Sequence, residues 1–430
     1  MKILIIEAYS AANIGSGALV ENSVRLLQNN FPGSEIEILA QTPDSIHKLT
    51  GLPCRHELIS LPLGQARLKQ IGWLLCTVLW MSVHALALQG RRFGLQIPAR
   101  LYTFNTSKLA AIEAIRNSDM VVSVGAERIN DNFYKAILFS LYMLWVVKSY
   151  GKFLVLFPQT IGPFHFRVTR FLAGAMLNRC DVLFLRDRRS RDIVTEIGVR
   201  GPIVVDTCDV AVLQAAVEPS LAKELLDQAG VPNDGKPLVG MSVMRWSYIK
   251  AEGKSGYVEY KRAIATVADE FIDQYGVRIV FIATNVLTDG CREDDVASSK
   301  EIKLLMRNQD EATILSRVFS PSEMKGIMGQ LDLCLVTRMH ACIFSTGIFT
   351  PTVSINYQFK IKEYMRLMGL ENYTVDIDKV TTENLSALMN RAWGERAQNR
   401  KILKKNVTSY GRDLESSMAR LPEYFAKHFS

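Results

Sequence analysis

MKILIIEAYSAANIGSGALVENSVRLL, Met1–Leu27, decides how the rest of the chain reads. The apolar run KILII stops at Glu7, a polar loop carrying Asn13, Gly15 and Gly17 follows, and a helical pattern takes over from Ala18 to Leu27. A second strand-like run, Glu35–Leu39, comes next. Strand, glycine turn, helix and strand in that order form the repeating unit of a parallel sheet joined by helical crossovers. The same alternation returns at Met120–Val124, Phe153–Phe157, Val182–Leu185 and Ile203–Val205, with helical patterns around Phe133–Lys148, Phe166–Leu177 and Ser190–Glu196. Strands this uniformly apolar are expected to be covered on both faces.

A seam lies at Glu218–Lys236, where a short helix gives way to the turn formers VPNDGKP. Beyond it strands are expected at Leu238–Val243, Arg278–Ile282, Thr313–Leu315, Leu333–Val336 and Thr352–Ile355. Helices are expected at Tyr257–Gln274, Ser298–Arg307, Pro321–Met328, Met339–Thr346 and Ile361–Met368. The expected fold class is α/β: two doubly wound Rossmann-like domains facing a cleft, a GT-B-like arrangement. The expected domains are residues 1–220, carrying the apolar insertion 71–88, and residues 236–400. A C-terminal helical stretch, 401–430, is expected to pack across both. A chain of 430 residues favours two such cores over one.

Charge and cysteine usage narrow the chemistry. Fifty-one Lys and Arg against 43 Asp and Glu give a net charge of +8, an excess that suits anionic small molecules, acidic polymers or an anionic membrane leaflet. Nucleic acid is excluded as the expected partner because no zinc spacing, helix-turn-helix or aromatic ribonucleoprotein signature occurs. The seven cysteines are scattered without a Cys-x-x-Cys, against a disulfide framework or zinc site. Cys334 and Cys342 sit in apolar surroundings and read as core residues. MKILIIEAYS enters a strand directly, without a leader pattern, so a cytoplasmic location is expected.

Ile71–Leu88, IGWLLCTVLWMSVHALAL, complicates that expectation. Eighteen mostly apolar residues are at the lower limit for crossing a bilayer. His84 and Ser82 weaken that reading. Trp73, Trp80 and the flanking Arg67, Lys69, Arg91 and Arg92 fit a helix lying in the membrane interface, giving peripheral contact with the inner face. A helix buried in the first domain or at a dimer contact is the third reading; oligomeric state is not readable from sequence.

Ligands of doubly wound sheets bind where strands end and helices begin, because helix N-termini offer unpaired amides and partial positive charge. Several such turns here carry unusual side chains. The first offers Asn13 and Gly15. The second reads Ser123-Val124-Gly125-Ala126-Glu127-Arg128, with a Glu–Arg pair able to hold a sugar hydroxyl or a phosphate or to form a surface ion pair. Gln159 follows the strand Phe153–Phe157, before a Gly162-Pro163 turn. Arg186 ends another strand as a bidentate anion ligand, with Asp187 and Ser190 as candidate helix caps. Asp206 and Asp209 follow the next strand, one a candidate hydroxyl acceptor and the other a cap. Beyond the seam, Arg245 ends the first strand. Val336-Thr337-Arg338-Met339-His340 ends a later strand and opens a helix. A histidine at a helix N-terminus has its cationic form disfavoured and can serve as a base, while a nearby phosphate or carboxylate would push the other way. A histidine merely satisfied beneath the turn is the structural alternative. Tyr357 and Lys360 follow another strand on the same rim.

Taken in order, Asn13-x-Gly15, the Gly125 loop, Gln159-x-x-Gly162-Pro163, Arg186-Asp187-x-x-Ser190, Asp209-x-Ala211, Ser242-x-x-Arg245, Arg338-x-His340 and Tyr357-x-x-Lys360 resemble the polysaccharide pyruvyl transferase family. The resemblance covers about residues 3–370. It implies a GT-B fold and a transferase that uses phosphoenolpyruvate to place a pyruvyl ketal on a sugar of a surface polysaccharide or its lipid-linked precursor. On that reading Arg186, Arg245, Arg338, Tyr357 and Lys360 hold the donor, and Arg338 and His340 act in catalysis. Asn13, Gly15, Gly125, Glu127, Arg128, Gln159 and Asp209 meet the acceptor. No metal and no cofactor beyond the donor substrate are expected. Two positions depart from the family pattern: Ser16 stands where an Asp is frequent, and Ala126 falls within what is often a triple-glycine turn. The rival readings are a GT-B glycosyltransferase using a nucleotide sugar, with Arg338 on the diphosphate, and a non-catalytic membrane-associated assembly protein of the same fold.

Overall fold

The computed structural model describes residues 1–62, 66–125, 127–245, 253–286 and 294–429. The chain forms two compact units. One comprises Met1–Ala11, Leu19–Val210 and Asp413–Ser430, and the other Ala12–Ala18 and Ala211–Arg412. The loop carrying Asn13 and Gly15 therefore groups with the second unit, and the chain's last residues with the first.

In chain order the first half contains β1 (Lys2–Ala8), α1 (Ile14–Asn30), β2 (Glu35–Ala40), α2 (Pro43–Thr50), β3 (Cys54–His56), α3 (Arg67–Gly90), α4 (Thr106–Asn117), β4 (Met120–Ser123), α5 (Tyr134–Ser149), β5 (Phe153–Gln159), α6 (Arg167–Leu177), β6 (Val182–Leu185), α7 (Arg188–Glu196) and β7 (Ile203–Asp206). The seven strands pair in the order β3-β2-β1-β4-β5-β6-β7, all in parallel. Alternate residues point to opposite faces. Leu4, Ile6, Val121, Leu154, Leu156 and Leu183 meet Ile112 and Ile115 of α4, Ile137 and Leu144 of α5 and Leu177 of α6 in one core. On the other side Phe153 packs edge-on against Phe425, which also meets Phe31 at the end of α1.

The second half contains α8 (Pro219–Gln228), β8 (Leu238–Ser242), α9 (Gly253–Tyr275), β9 (Arg278–Ile282), α10 (Asp295–Lys303), β10 (Ala312–Leu315), α11 (Pro321–Met328), β11 (Leu333–Val336), α12 (Met339–Gly347), β12 (Thr352–Asn356), α13 (Phe359–Leu367), β13 (Thr374–Asp376), α14 (Thr382–Gly394), α15 (Arg396–Met418) and α16 (Leu421–Phe429). Its six strands run parallel in the order β10-β9-β8-β11-β12-β13. The α/β class and parallel sheets stand as expected.

Local chemistry explains where elements shift from the sequence reading. α10 begins at Asp295 rather than Ser298, because the Asp294 side chain caps it by accepting from the Val296 amide at 3.0 Å. The C-terminal stretch breaks into α15 and α16, with Pro422 in the first turn of the latter, a position that tolerates a missing N–H.

The 71–88 segment lies in α3, a 24-residue helix buried along one stripe only. Thr77 and His84 are inaccessible. Trp73 meets Phe139 of α5, and the Tyr142 hydroxyl contacts the Met81 carbonyl and His84 Nδ1 at 3.2 and 2.9 Å. Burial pushes the His84 imidazole down to about 4, so it is neutral at neutral pH. The outward face is equally apolar: Leu75, Leu79 and Leu86 are 67%, 69% and 70% exposed. Among the described residues α3 is the one helix long and apolar enough to cross a membrane.

Candidate functional site

In the second unit β8, β11 and β12 are adjacent at the centre of the sheet. Their carboxyl ends bring Arg245, Arg338 with His340, and Tyr357 with Lys360 to one edge. Arg338 is the N-cap residue of α12, and His340 is that helix's second residue. Arg245 is exposed and Arg338 largely buried. The Lys360 ammonium lies 5.6 Å over the Tyr357 ring.

Arg338 is held by a group the sequence reading missed. Its Nη2 and Nε donate to Asp295 Oδ1 at 2.5 and 3.2 Å. Asp295 Oδ2 accepts from the Thr284 and Asn285 amides at 3.1 and 2.9 Å. Burial pushes the Asp295 carboxyl up, and the Arg338 guanidinium and the two amides oppose it. With its amide oriented to satisfy both atoms, Asn285 also accepts from Arg338 Nη1 at 3.3 Å. The guanidinium is thus held by Asp295 and Asn285 together.

The early loop closes on the same place. Asn13 bridges Asn285, and the Ile14 amide donates to the Thr284 carbonyl at 3.2 Å. Asn13 Oδ1 caps α1 by accepting from the Ser16 amide at 2.9 Å. A Cβ at Gly15 would lie 2.0 Å from His340 Nδ1. The structure therefore brings Asn13 and Gly15 beside His340. Two buried donors flank β11: the Ser242 hydroxyl and the Asn356 amide nitrogen have no hydrogen-bond partner among the described residues.

The first unit gathers a second set at the ends of β1, β3, β4 and β5. Glu7 closes β1 in the left-handed region, φ 66°, an arrangement that is strained for a non-glycine residue. Ser123 Oγ donates to Glu7 Oε2 at 2.5 Å, and Gln159 Nε2 donates to Ser123 Oγ at 2.8 Å. Arg128 Nη2 lies 3.5 Å from Glu57 Oε1. Burial pushes the Glu57 carboxyl up to about 7; Arg128 pulls it back and the charge of Glu7 adds to the rise. The Asn130 amide nitrogen donates to the Glu127 carbonyl at 2.8 Å. Gly125 is a close approach, since a Cβ there would meet the Pro158 carbonyl oxygen at 2.6 Å. Ala126 lies outside the described residues.

Arg186 is in the first unit as well, 5% exposed. Its guanidinium pairs with Asp209 and donates through Nε to Thr160 Oγ1 at 2.8 Å. Asp187 caps α7 by accepting from the Ser190 amide at 2.7 Å. Arg186 and Asp209, assigned from sequence to donor and acceptor, are bonded to each other.

Sequence reading missed Asp295, Glu7, Glu57 and Ser123. Glu7 had a signal, a carboxylate ending an otherwise apolar strand. The Asp295 pairing joins residues 43 apart along the chain and had none.

Two parallel six- and seven-stranded sheets with ligand-type side chains at their carboxyl ends define the GT-B class of fold. Solved structures agree over nearly the full length. A UDP-N-acetylglucosamine 2-epimerase from Listeria monocytogenes matches with a TM-score of 0.61 at 12% identity, covering 99% of this chain and 97% of that one. Anabaena HepE in complex with UDP-glucose matches at 0.54 and 14%, covering 97% and 99%. At those identities the likeness shows the fold alone.

The chain belongs to the polysaccharide pyruvyl transferase family, whose model matches residues 13–358. The amylovoran biosynthesis protein AmsJ of Erwinia amylovora is 22% identical over 395 residues, 91% of each chain.

Proposed function

We propose that this member of a transferase family moves the pyruvyl group of phosphoenolpyruvate onto a sugar of a surface polysaccharide or its lipid-linked precursor, forming a cyclic ketal. The observation that carries the reading is Arg338 fixed by Asp295 beside His340, itself seated on Gly15. Phosphoenolpyruvate carries a carboxylate and a phosphate. Arg245, Lys360 and Arg338 supply charge complementary to it, the Tyr357 hydroxyl, Ser242 and Asn356 supply neutral donors, and the start of α12 supplies its partial positive charge. Arg186, committed to Asp209, is a structural cation on this account.

In the chemistry one sugar hydroxyl adds to C2 of phosphoenolpyruvate while C3 gains a proton. A second hydroxyl of the same sugar then displaces phosphate and closes the ketal, its proton leaving with the phosphate. His340 is the proton-transfer group, and Gly125, Glu127, Arg128 and Gln159 are the acceptor-side candidates. Asn13 and Gly15 act by positioning His340. The reaction needs no cofactor beyond the donor. The test incubates the purified chain with a lipid-linked oligosaccharide acceptor and either phosphoenolpyruvate or nucleotide sugars. Phosphate release and a ketal product support the reading. Nucleoside diphosphate release would support a glycosyltransferase, and turnover of neither donor a non-catalytic assembly protein.

Peripheral attachment to the cytoplasmic face of a membrane belongs to the same proposal. A helix apolar all round is ordinarily buried, yet the outward face of α3 is open and its one hydroxyl, Ser82 Oγ, is satisfied by the Val78 carbonyl at 3.0 Å. Exposed Lys69 lies at one end of that face, with exposed Arg91 and Arg100 beyond the other, as an anionic lipid surface requires.

A further inference from the structure

We propose that Glu7, Glu57, Arg128, Ser123 and Gln159 form a carbohydrate subsite that takes neighbouring hydroxyls of a pyranose. This deepens the preceding reading and rests on the acceptor being a sugar. Three acceptor atoms carry the argument. Glu7 Oε1, Glu57 Oε1 and Gln159 Oε1 are buried and have no hydrogen-bond partner among the described residues, although Glu57 Oε1 faces the Arg128 guanidinium as an ion pair at 3.5 Å. Their residues are 3%, 8% and 1% exposed. A native interior leaves few such atoms unmatched, so three at the carboxyl ends of strands of one sheet mark where a ligand is to supply donors.

The surroundings choose the ligand. Ser123 and Gln159 are already chained to Glu7 Oε2, which fixes the unused carboxylate oxygen and the unused amide oxygen in place. Arg128 beside Glu57 opposes a metal cation, and two carboxylates oppose phosphate or carboxylate. A neutral ligand rich in O–H groups meets neither objection. Each hydroxyl donates to one waiting oxygen and accepts from the Arg128 guanidinium. Glu7, held at φ 66° at the end of β1, is in the kind of backbone conformation that persists where a site requires it.

Glu57 gives the subsite a pH signature. Its carboxyl, pushed up to about 7 by burial, accepts hydroxyl donors best when ionised. Glycoside affinity should therefore rise from pH 6 to pH 8, and Glu57→Gln should flatten that rise.

The test is saturation-transfer NMR on the full chain without phosphoenolpyruvate, using methyl glycosides of galactose, glucose and mannose at millimolar concentration. At least one should bind. Gln159→Met, which keeps the volume and removes the amide, should weaken it tenfold or more with an unchanged melting temperature. Should Gln159→Met fail to fold, Glu57→Gln supplies the readout through its flattened pH profile. Binding by none of the three glycosides, or binding by both variants indistinguishable from wild type, would overturn the subsite. Titration with phosphoenolpyruvate alone separates the two proposals: glycoside binding without donor binding leaves the subsite standing and sinks the donor assignment.

Discussion

Gly15→Ala separates stability from chemistry. Gly15 is the second residue of α1, in ordinary right-handed backbone. By helix propensity an alanine there should stabilise, by about 0.5–1 kcal/mol. The added Cβ, however, would lie 2.0, 2.2 and 2.6 Å from His340 Nδ1, Cγ and Cε1, whereas ordinary contact begins at 3.4 Å. The imidazole must move by about 1.4 Å. Displacement on that scale costs on the order of a hundredfold in rate when the group transfers a proton, about 2.7 kcal/mol of transition-state stabilisation. The clash is with a side chain rather than backbone, so the helix survives. Gly72→Ala, in α3 with nothing within 4 Å of its added Cβ, is the matched control. Melting temperature and phosphoenolpyruvate-dependent phosphate release are measured on both. Gly15→Ala should hold or raise the melting temperature and lose about two decades of turnover, and Gly72→Ala should keep full turnover. Turnover within twofold of wild type for Gly15→Ala would refute the placement of His340 at the reacting centre.

Removing the Asp295 charge strands a buried guanidinium: Asp295→Asn should destabilise the fold by about 3–5 kcal/mol, read by denaturant unfolding, and weaken phosphoenolpyruvate binding at the same time. Glu57 should make stability fall as pH rises. Its folded carboxyl, about 7 against an ordinary 4.5, binds the proton more tightly than the unfolded chain does, so stability present below pH 4.5 is lost through pH 7. That loss amounts to about 3 kcal/mol, and unfolding of Glu57→Gln across pH 5–8 should show a correspondingly shallower slope. Leu75→Glu with Leu79→Glu should reduce co-sedimentation with phosphatidylglycerol vesicles at least tenfold and leave the melting temperature unchanged. Equal recovery of wild type on neutral phosphatidylcholine vesicles, or loss of a dimer in sedimentation rather than loss of lipid binding, would refute the membrane assignment.

Much of the fold was legible because the central strands are apolar and their turns carry glycine and polar side chains at the carboxyl ends, whereas the short polar edge strands β3 and β13 gave no such run. Arg338, His340, Tyr357 and Lys360 were legible for that reason: each lies within four residues of a strand end. What locks them was not. Asp295 sits in a run of acidic residues ahead of the helix expected from Ser298, and only the folded chain pairs one of those carboxylates with Arg338. Gly15 read as a flexible turn, but its contribution is the space it leaves for an imidazole more than 300 residues away along the chain. Arg186 shows the opposite error. A cation at a strand end looks like an anion ligand until its buried partner, Asp209, is seen. Glu57 carries no local signal at all, since its raised carboxyl arises from burial and from the charge of Glu7, against the pull of Arg128.

The donor assignment is tested most directly by calorimetric titration of the purified chain with phosphoenolpyruvate, beside Arg338→Ala and with UDP-glucose as the competing donor. The account predicts saturable phosphoenolpyruvate binding that weakens at least a hundredfold in Arg338→Ala and is unaffected by UDP-glucose. Saturable UDP-glucose binding that depends on Arg338, with no heat from phosphoenolpyruvate, would contradict it.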